Sequence, residues 1–162
     1  MKNLDIEAAR VVAFRFLGYA ARTRSEIEQR LLKDEFPPSI VAQMLGELEG
    51  MGYLDDADFA RHWVEDRADR KRYGRTRLAA ELNRKGIDRV TASEALDAIE
   101  EEDEVRRAAQ AAATRWTPES LKLLDTVTLM KEKNRISGFL MRRGFSWQTI
   151  KKVLDVMMEN DR

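Results

Sequence analysis

The sequence predicts an all-α protein made of three tandem three-helix repeats. Its 162 residues include only three prolines, and the helix-favouring residues Ala, Leu, Glu, Arg and Lys dominate. The strict alternation of polar and apolar residues that marks a strand is scarce. Apolar residues make up 43% of the chain and charged residues 36%, which is above the usual quarter. A chain that can bury a core and still carries so many charged residues is typical of a thin, elongated helical protein.

The first repeat is predicted to occupy residues 1–54. An apolar stripe at helical spacing predicts its first helix over residues 4–21. Ser25 followed by Glu28 has the spacing of a capping box, which predicts the start of the second helix. Pro37 and Pro38 cannot continue that helix but are tolerated in the first turn of a third. The third helix is predicted to end at residues 50–52, where glycine can take a left-handed cap conformation.

The second repeat is predicted to occupy residues 55–101, and the third residues 102–162. Asp55 and Asp56 predict the start of the leading helix of the second repeat, over residues 56–71. The leading helix of the third repeat is predicted over residues 103–116. Extra residues between 117 and 131, including Pro118, predict a longer connection inside the third repeat.

Five apolar positions recur after 51 residues and again after a further 58 residues. The three copies are Ile27, Leu31, Phe36, Leu45, Leu48; then Leu78, Leu82, Ile87, Leu96, Ile99; then Ile136, Leu140, Phe145, Leu154, Met157. Predicted N-caps recur in the same register, each preceded by a base, as Arg24-Ser25, Arg75-Thr76 and Lys133-Asn134. A glycine precedes the third apolar position in the later copies (Gly86, Gly144), whereas the first copy has Glu35. Three units, each too small to be stable alone, would stack end to end.

Composition excludes several classes of site. The chain has no cysteine, so disulfides and Cys-ligated metals are excluded, and the single histidine, His62, leaves no His pair for a metal. No phosphate-cradling glycine loop and no nucleophile elbow is present, so we expect no catalytic residue, cofactor or metal. The N-terminus has no signal-peptide pattern, and no apolar run is long enough to cross a bilayer, so we expect a cytoplasmic protein without membrane contact.

The formal net charge is zero, but the charges are unevenly distributed. Between residues 61 and 89 there are ten bases and five acids, and between 131 and 152 seven bases and one acid. Guanidinium groups match the geometry of phosphate and carboxylate, so these segments are candidate binding surfaces. The candidates in the central segment are Arg67, Arg70, Lys71, Arg72, Tyr73, Arg75, Arg77, Arg84 and Lys85. Those in the C-terminal segment are Arg142, Arg143, Lys151 and Lys152.

Each candidate also has a structural interpretation. Asp66 and Arg70 have the spacing of an exposed ion pair along a helix, which contributes only about 0.3–0.5 kcal/mol. The base pairs at 84–85 and 142–143 stand at equivalent repeat positions and can complement a helix C-terminus. Tyr73 beside bases has the arrangement that stacks nucleobases, as does Trp147, but aromatic residues at helix ends are more often packing anchors.

Short motifs in two blocks carry a family resemblance. They are GYLDD at residues 52–56, FA at 59–60, YG at 73–74 and ELNRKGI at 81–87, followed by FLMRRGFSW at 139–147 and KVL at 152–154. The chain resembles the RecX family of bacterial regulatory proteins, which bind the RecA recombinase, over essentially its whole length. It departs from the family at Arg75, where proline is frequent, and at residues 34–35, where a basic residue and glycine are usual.

The resemblance implies three tandem three-helix repeats in an elongated, curved monomer. It also implies binding in the groove of the RecA–single-stranded-DNA filament, inhibition of ATP hydrolysis and strand exchange, and no enzymatic activity. Such a protein would modulate homologous recombination, DNA repair and the SOS response. The expected partners are the RecA filament and single-stranded DNA, with double-stranded DNA as a further candidate.

Two other readings fit the residues. One is a tandem helical DNA-binding protein without a recombinase partner, against which the zero net charge argues mildly. The other is a helical scaffold for an acidic or amphipathic protein partner.

Overall fold

The computed structural model describes residues 4–159 and contains ten α-helices and no strand within that range. The helices of the first 54 residues are α1 (Ile6–Tyr19), α2 (Arg24–Lys33) and α3 (Pro38–Gly50). The next three are α4 (Asp56–Lys71), α5 (Arg75–Arg84) and α6 (Arg89–Asp97). The last four are α7 (Glu101–Ala113), the short α8 (Pro118–Lys122), α9 (Thr126–Arg142) and α10 (Trp147–Glu159). The predicted all-α class is confirmed.

Side-chain caps begin several of these helices, but three of the predicted caps, at Ser25, Thr76 and Asn134, are wrong. The capping box of α2 is formed by Thr23 and Glu26, not by Ser25 and Glu28. Thr23 is fully buried, and its hydroxyl also donates to the carbonyl of Lys85 at 2.6 Å, a long-range contact that favours it over Ser25. Asn134 lies inside α9, because Asp125 caps that helix nine residues earlier.

The predicted cap at Thr76 is also wrong, because α5 begins one residue before it, at Arg75. Ser25 lies in the first turn of α2 instead of before it. The matched register of Ser25 and Thr76 is therefore real, but both residues lie just inside their helices. Their shared position reflects a packing contact of the helix start, not a cap.

A turn of one conformation follows α2, α5 and α9. Its central residues Glu35, Gly86 and Gly144 have φ of 69°, 76° and 89°. In each turn the next residue's N–H bonds five residues back, from Phe36 to Leu31, Ile87 to Leu82 and Phe145 to Leu140, at 3.1–3.2 Å. This bond satisfies a carbonyl that the helix end would leave unpaired. The first repeat therefore forms the same turn with glutamate in a conformation that favours glycine.

The recurrent apolar positions form the core. Thirteen of the fifteen are buried, and the remaining two, Ile99 and Leu154, are half-buried. Burial of these positions is what their spacing predicts, because each copy places one face of its helices inward.

The chain forms two compact units. Within the described residues, the first holds the chain up to His62 together with Leu82–Ala92, and the second holds Trp63–Glu81 and the chain from Ser93 onward. Helices α1, α2 and α3 build an apolar core in the first unit, completed by Leu54. Helices α7, α8, α9 and α10 build the core of the second. No helix in the described range is both long and apolar enough to cross a membrane.

Candidate polyanion-binding surface

In the second unit, the turn after α9 packs on the start of α5. The N–H of Gly74 donates to the carbonyl of Arg143 at 2.8 Å, and the N–H of Thr76 donates to the carbonyl of Gly144 at 3.1 Å. The first N–H groups of a helix have no partner within the helix, so these two bonds satisfy part of the N-terminus of α5. We call this contact the second junction.

Glycine is required on both sides of the second junction. A Cβ on Gly74 would lie 2.4 Å from the carbonyl oxygen of Gly144, and a Cβ on Gly144 would lie 2.4 Å from the backbone nitrogen of Arg77. Both contacts are far shorter than van der Waals contact between heavy atoms. The close approach of two backbones explains why the sequence has YG and RRG at these positions.

The second junction brings two arginines to one tyrosine ring. The guanidinium carbon of Arg77 lies 3.7 Å from the centre of the Tyr73 ring, and that of Arg143 lies 6.0 Å from it. Arg143 also donates from Nη1 to the carbonyl of Lys71 at 2.6 Å. Hydrogen bonding and the ring hold both cations in place, so they lose little freedom when they meet an anion.

Further bases lie beside Tyr73 and Arg143 in the sequence, and among the described residues they form no ion pair. Within residues 4–159, Lys71, Arg72 and Arg142 form no ion pair, and Lys71 and Arg142 are exposed. Arg77 contacts the carboxylate of Glu81 only at 3.7 Å. We define the basic junction cluster as Lys71, Arg72, Tyr73, Arg77, Arg142 and Arg143.

Three other predicted bases of the second unit, Arg67, Arg70 and Lys152, contact side chains within it. Arg70 pairs with Asp66 at 2.9 Å, and Lys152 pairs with Glu101, which lowers the pKa of the Glu101 carboxyl. The guanidinium of Arg67 lies 4.2 Å from the centre of the Trp63 ring. Lys151 and Trp147 are exposed on α10, and 60% of Trp147 is accessible.

Arg75 is held by three contacts within the second unit. Its guanidinium donates to the carbonyl of Leu96 at 2.8 Å and pairs with Asp97 at 2.7 Å. Its N–H donates to the carboxylate of Glu104, a buried acid at the start of α7, at 3.0 Å. Arg75 thus ties the start of α5 to the end of α6 and to the next repeat.

The first unit contains an equivalent junction, which holds Lys85. The Nζ atom of Lys85 pairs with Glu26 at 2.7 Å, and Gly86 packs so closely on Ser25 that a Cβ would lie 2.3 Å from the serine side chain. Arg24 repeats the arrangement of Arg75: its N–H donates to Asp56 at 2.9 Å and its Nε pairs with Glu49 at 2.7 Å. Arg84 is exposed on α5.

The role of Arg24 and Arg75 was not predicted, although the sequence carried a signal for it. Both bases precede the recurrent positions 25 and 76 in the same 51-residue register. The third copy has Lys133, which lies within α9 and starts no helix. A base therefore stands at the first position of the second helix in the first and second repeats, each of which is followed by another repeat, and not in the third.

The described residues do not bring acids and the histidine together as a metal site. Three family models match the chain in order: the first three-helix domain of RecX over residues 9–48, the second over 55–96 and the third over 101–154. The chain belongs to the RecX family. The predicted family and the three-helix repeats are both confirmed.

Relatives named "Regulatory protein RecX" match nearly the whole chain. The protein of Mycolicibacterium smegmatis is 35% identical over 96% of this chain and 82% of its own length. That of Mycolicibacterium vanbaalenii is 36% identical over 96% of this chain and 85% of its own. The crystal structure of RecX from Lactobacillus salivarius has the same fold, with a TM-score of 0.84, 22% identity, and coverage of 94% of this chain and 96% of that one. A second crystal structure of regulatory protein RecX has a TM-score of 0.79 at 21% identity and covers 93% of this chain and 73% of that one.

Proposed function

We propose that this RecX-family chain regulates the RecA recombinase by binding the filament that RecA forms on single-stranded DNA. The observation that carries the proposal is the basic junction cluster. Two basic segments about seventy residues apart meet at Tyr73, where Arg143 donates to the carbonyl of Lys71. The names of the relatives as regulatory proteins support the regulatory role.

The cluster suits a surface of repeated negative charge. The fixed guanidinium groups of Arg77 and Arg143 can bond phosphate or carboxylate oxygens in two directions, and Lys71 and Arg142 add attraction at longer range. Contacts to phosphates release condensed counterions, so binding should weaken steeply with salt. The remaining predicted bases, Arg67, Arg70, Arg84, Lys151 and Lys152, belong to this proposal as further candidate contacts, with no position relative to the cluster assigned to them.

The regulatory effect would be steric and electrostatic. A helical protein seated in the filament groove would exclude the second DNA duplex and disfavour the arrangement of protomers that hydrolyses ATP. This would inhibit strand exchange and modulate homologous recombination, DNA repair and the SOS response. The protein itself would act without catalysis, as a monomer in the cytoplasm.

The test is DNA-dependent ATP hydrolysis by the RecA of the same organism, with this protein titrated in. We expect inhibition that saturates when the protein approaches the concentration of RecA protomers. Unchanged hydrolysis at several-fold excess of folded protein would remove the proposal.

A DNA-binding protein that acts without a recombinase is the second candidate, because arginines on an aromatic ring are also typical of single-strand binders. It predicts tight binding to DNA alone and no effect on the ATPase beyond competition for DNA. Raising the DNA concentration would then abolish the inhibition.

A further inference from the structure

The end of α1 carries an exposed aromatic side chain beside three arginines, a feature that the proposed function does not use. Tyr19 is the last residue of α1, and 79% of it is accessible. Arg15 and Phe16 lie one turn earlier on the same face of the helix, because residues three and four apart are neighbours on a helix surface. A large aromatic side chain so exposed is available to a partner.

Two of the arginines around this face, Arg22 and Arg30, lie over the Phe16 ring. The guanidinium carbon of Arg22 lies 3.9 Å from the ring centre and that of Arg30 lies 5.6 Å from it. Arg22 also donates from Nε to the carbonyl of Phe16 at 3.4 Å. Among residues 4–159, neither Arg15 nor Arg22 forms an ion pair, whereas Arg30 pairs with Asp34 at 3.1 Å.

A small recess of about 60 Å³ lies among these side chains. Its lining residues, Val12, Arg15, Phe16, Tyr19 and Arg30, include two bases and no acid. Its volume is far below the roughly 300 Å³ of a usual ligand pocket, so a ligand would lie across it. The face therefore combines an open aromatic ring with positive charge that no acid balances at Arg15 and Arg22.

We propose that this face of the first repeat binds single-stranded nucleic acid, with Tyr19 stacking on a base and Arg15 and Arg22 contacting flanking phosphates. An acidic protein surface would satisfy the arginines but need not present a flat group to the tyrosine ring. A single strand satisfies both, since each nucleotide supplies a flat π-face and a negative charge. In duplex DNA the bases are already stacked on one another and cannot cover Tyr19. The proposal does not depend on the recombinase.

The test is direct binding of a fluorescein-labelled oligo-dT strand, without recombinase, measured by fluorescence anisotropy. Tyr19→Ala should raise Kd about 5- to 150-fold, the range that corresponds to loss of one stacked base. Tyr19→Phe retains the ring and should stay close to wild type. Arg15→Gln and Arg22→Gln should each weaken binding and reduce the slope of log K against log salt by about one.

Arg61→Gln is the matched control, because Arg61 is an exposed arginine of the first unit, on α4, outside this face. It should leave Kd nearly unchanged. Equal affinity of wild type and Tyr19→Ala would overturn the proposal, as would failure of the wild type to bind the strand. Variants that keep their DNA affinity but lose binding to a recombinase filament would assign the face to a protein partner instead. The ATPase titration tests the proposed function separately, so the two proposals can fail independently.

Discussion

Substitution of Gly144 by alanine should destabilise the second unit more than any surface change. Gly144 has φ of 89°, a left-handed conformation that costs an alanine about 1–2 kcal/mol. The added Cβ would also lie 2.4 Å from the backbone nitrogen of Arg77, so the turn must move away from α5. That movement weakens two backbone hydrogen bonds, at 2.8 and 3.1 Å, each contributing about 0.5–1.5 kcal/mol. The expected loss in the free energy of unfolding is about 2–5 kcal/mol.

The natural assay is denaturant unfolding followed by tryptophan fluorescence. All three tryptophans, at positions 63, 116 and 147, lie in the second unit, so the signal reports the part that contains the junction. The midpoint should fall while the denaturant dependence stays the same. Gly138→Ala is the matched control, because Gly138 lies within α9 and its Cβ would meet only the flexible end of Arg142, at 3.2 Å. Alanine there should be neutral or stabilising by up to about 1 kcal/mol.

The equivalent junction of the first unit, where Gly86 packs on Ser25, allows a sharper comparison. A Cβ on Gly86 would meet the side chain of Ser25 at 2.3 Å, whereas a Cβ on Gly144 would meet the backbone nitrogen and the Cβ of Arg77, both at 2.4 Å, and alanine at position 77 keeps both atoms. Ser25→Gly should therefore recover part of the stability that Gly86→Ala loses, and Arg77→Ala should recover none of the stability that Gly144→Ala loses.

A Gly144→Ala protein whose free energy of unfolding lies within about 0.5 kcal/mol of wild type would refute the reasoning, because such a value is typical of unconstrained surface positions.

Three further predictions concern stability. Glu35→Gly should stabilise the first unit by about 0.5–1 kcal/mol in thermal unfolding, because glycine adopts the turn's φ of 69° without strain; a loss would contradict this. Arg75→Ala should lower the free energy of unfolding by about 1–2 kcal/mol, because its bonds to the end of α6 are lost. Lys71→Ala, the control, should change it by less than about 0.5 kcal/mol, and equal effects of the two substitutions would contradict this prediction. Burial is the main cause that raises the pKa of the Asp56 carboxyl, so its ionisation disfavours folding as the pH rises above the unfolded value of about 3.9. Asp56→Asn should thus match or exceed wild-type stability at pH 7 and lose that advantage toward pH 4. Asp56→Ala should instead lose about 1–2 kcal/mol of unfolding free energy, because the N–H of Arg24 then has no acceptor. An Asn variant much less stable than wild type at pH 7 would contradict the expected pH dependence.

The repeat could be predicted because burial follows local spacing. In each copy, two apolar residues one helical turn apart are fully buried. The three pairs are Ile27 and Leu31, Leu78 and Leu82, and Ile136 and Leu140. Gly86 and Gly144 could be assigned to turns because few other residues tolerate a left-handed conformation. Glu35 shows the limit of that rule, since the surrounding packing imposes the same turn on a residue that does not favour it.

The candidate site was less predictable because long-range contacts decide it. Thr23 and Ser25 are both good caps, and only the bond from Thr23 to a carbonyl 62 residues away distinguishes them. Among the bases, Arg75 and Lys71 look alike in the sequence, yet one is bound to α6 and the other is exposed. The meeting of Lys71 and Arg143, 72 residues apart, could not be read from spacing. The grouping of the middle repeat's residues into two units was likewise not predicted.

The central claim is that the basic junction cluster binds the recombinase filament. The most direct measurement compares inhibition of DNA-dependent RecA ATPase by wild type and by a variant with Lys71→Glu and Arg142→Glu, two exposed bases without an ion pair among the described residues. Lys33→Glu with Arg61→Glu, an equal charge reversal at exposed bases of the first unit, is the control. We predict that the cluster variant remains folded but that half-inhibition requires at least about tenfold more of it than of wild type. The control should inhibit like wild type. A tenfold change corresponds to about 1.4 kcal/mol, as expected for lost charged contacts. Equal inhibition by wild type and the cluster variant would contradict the account.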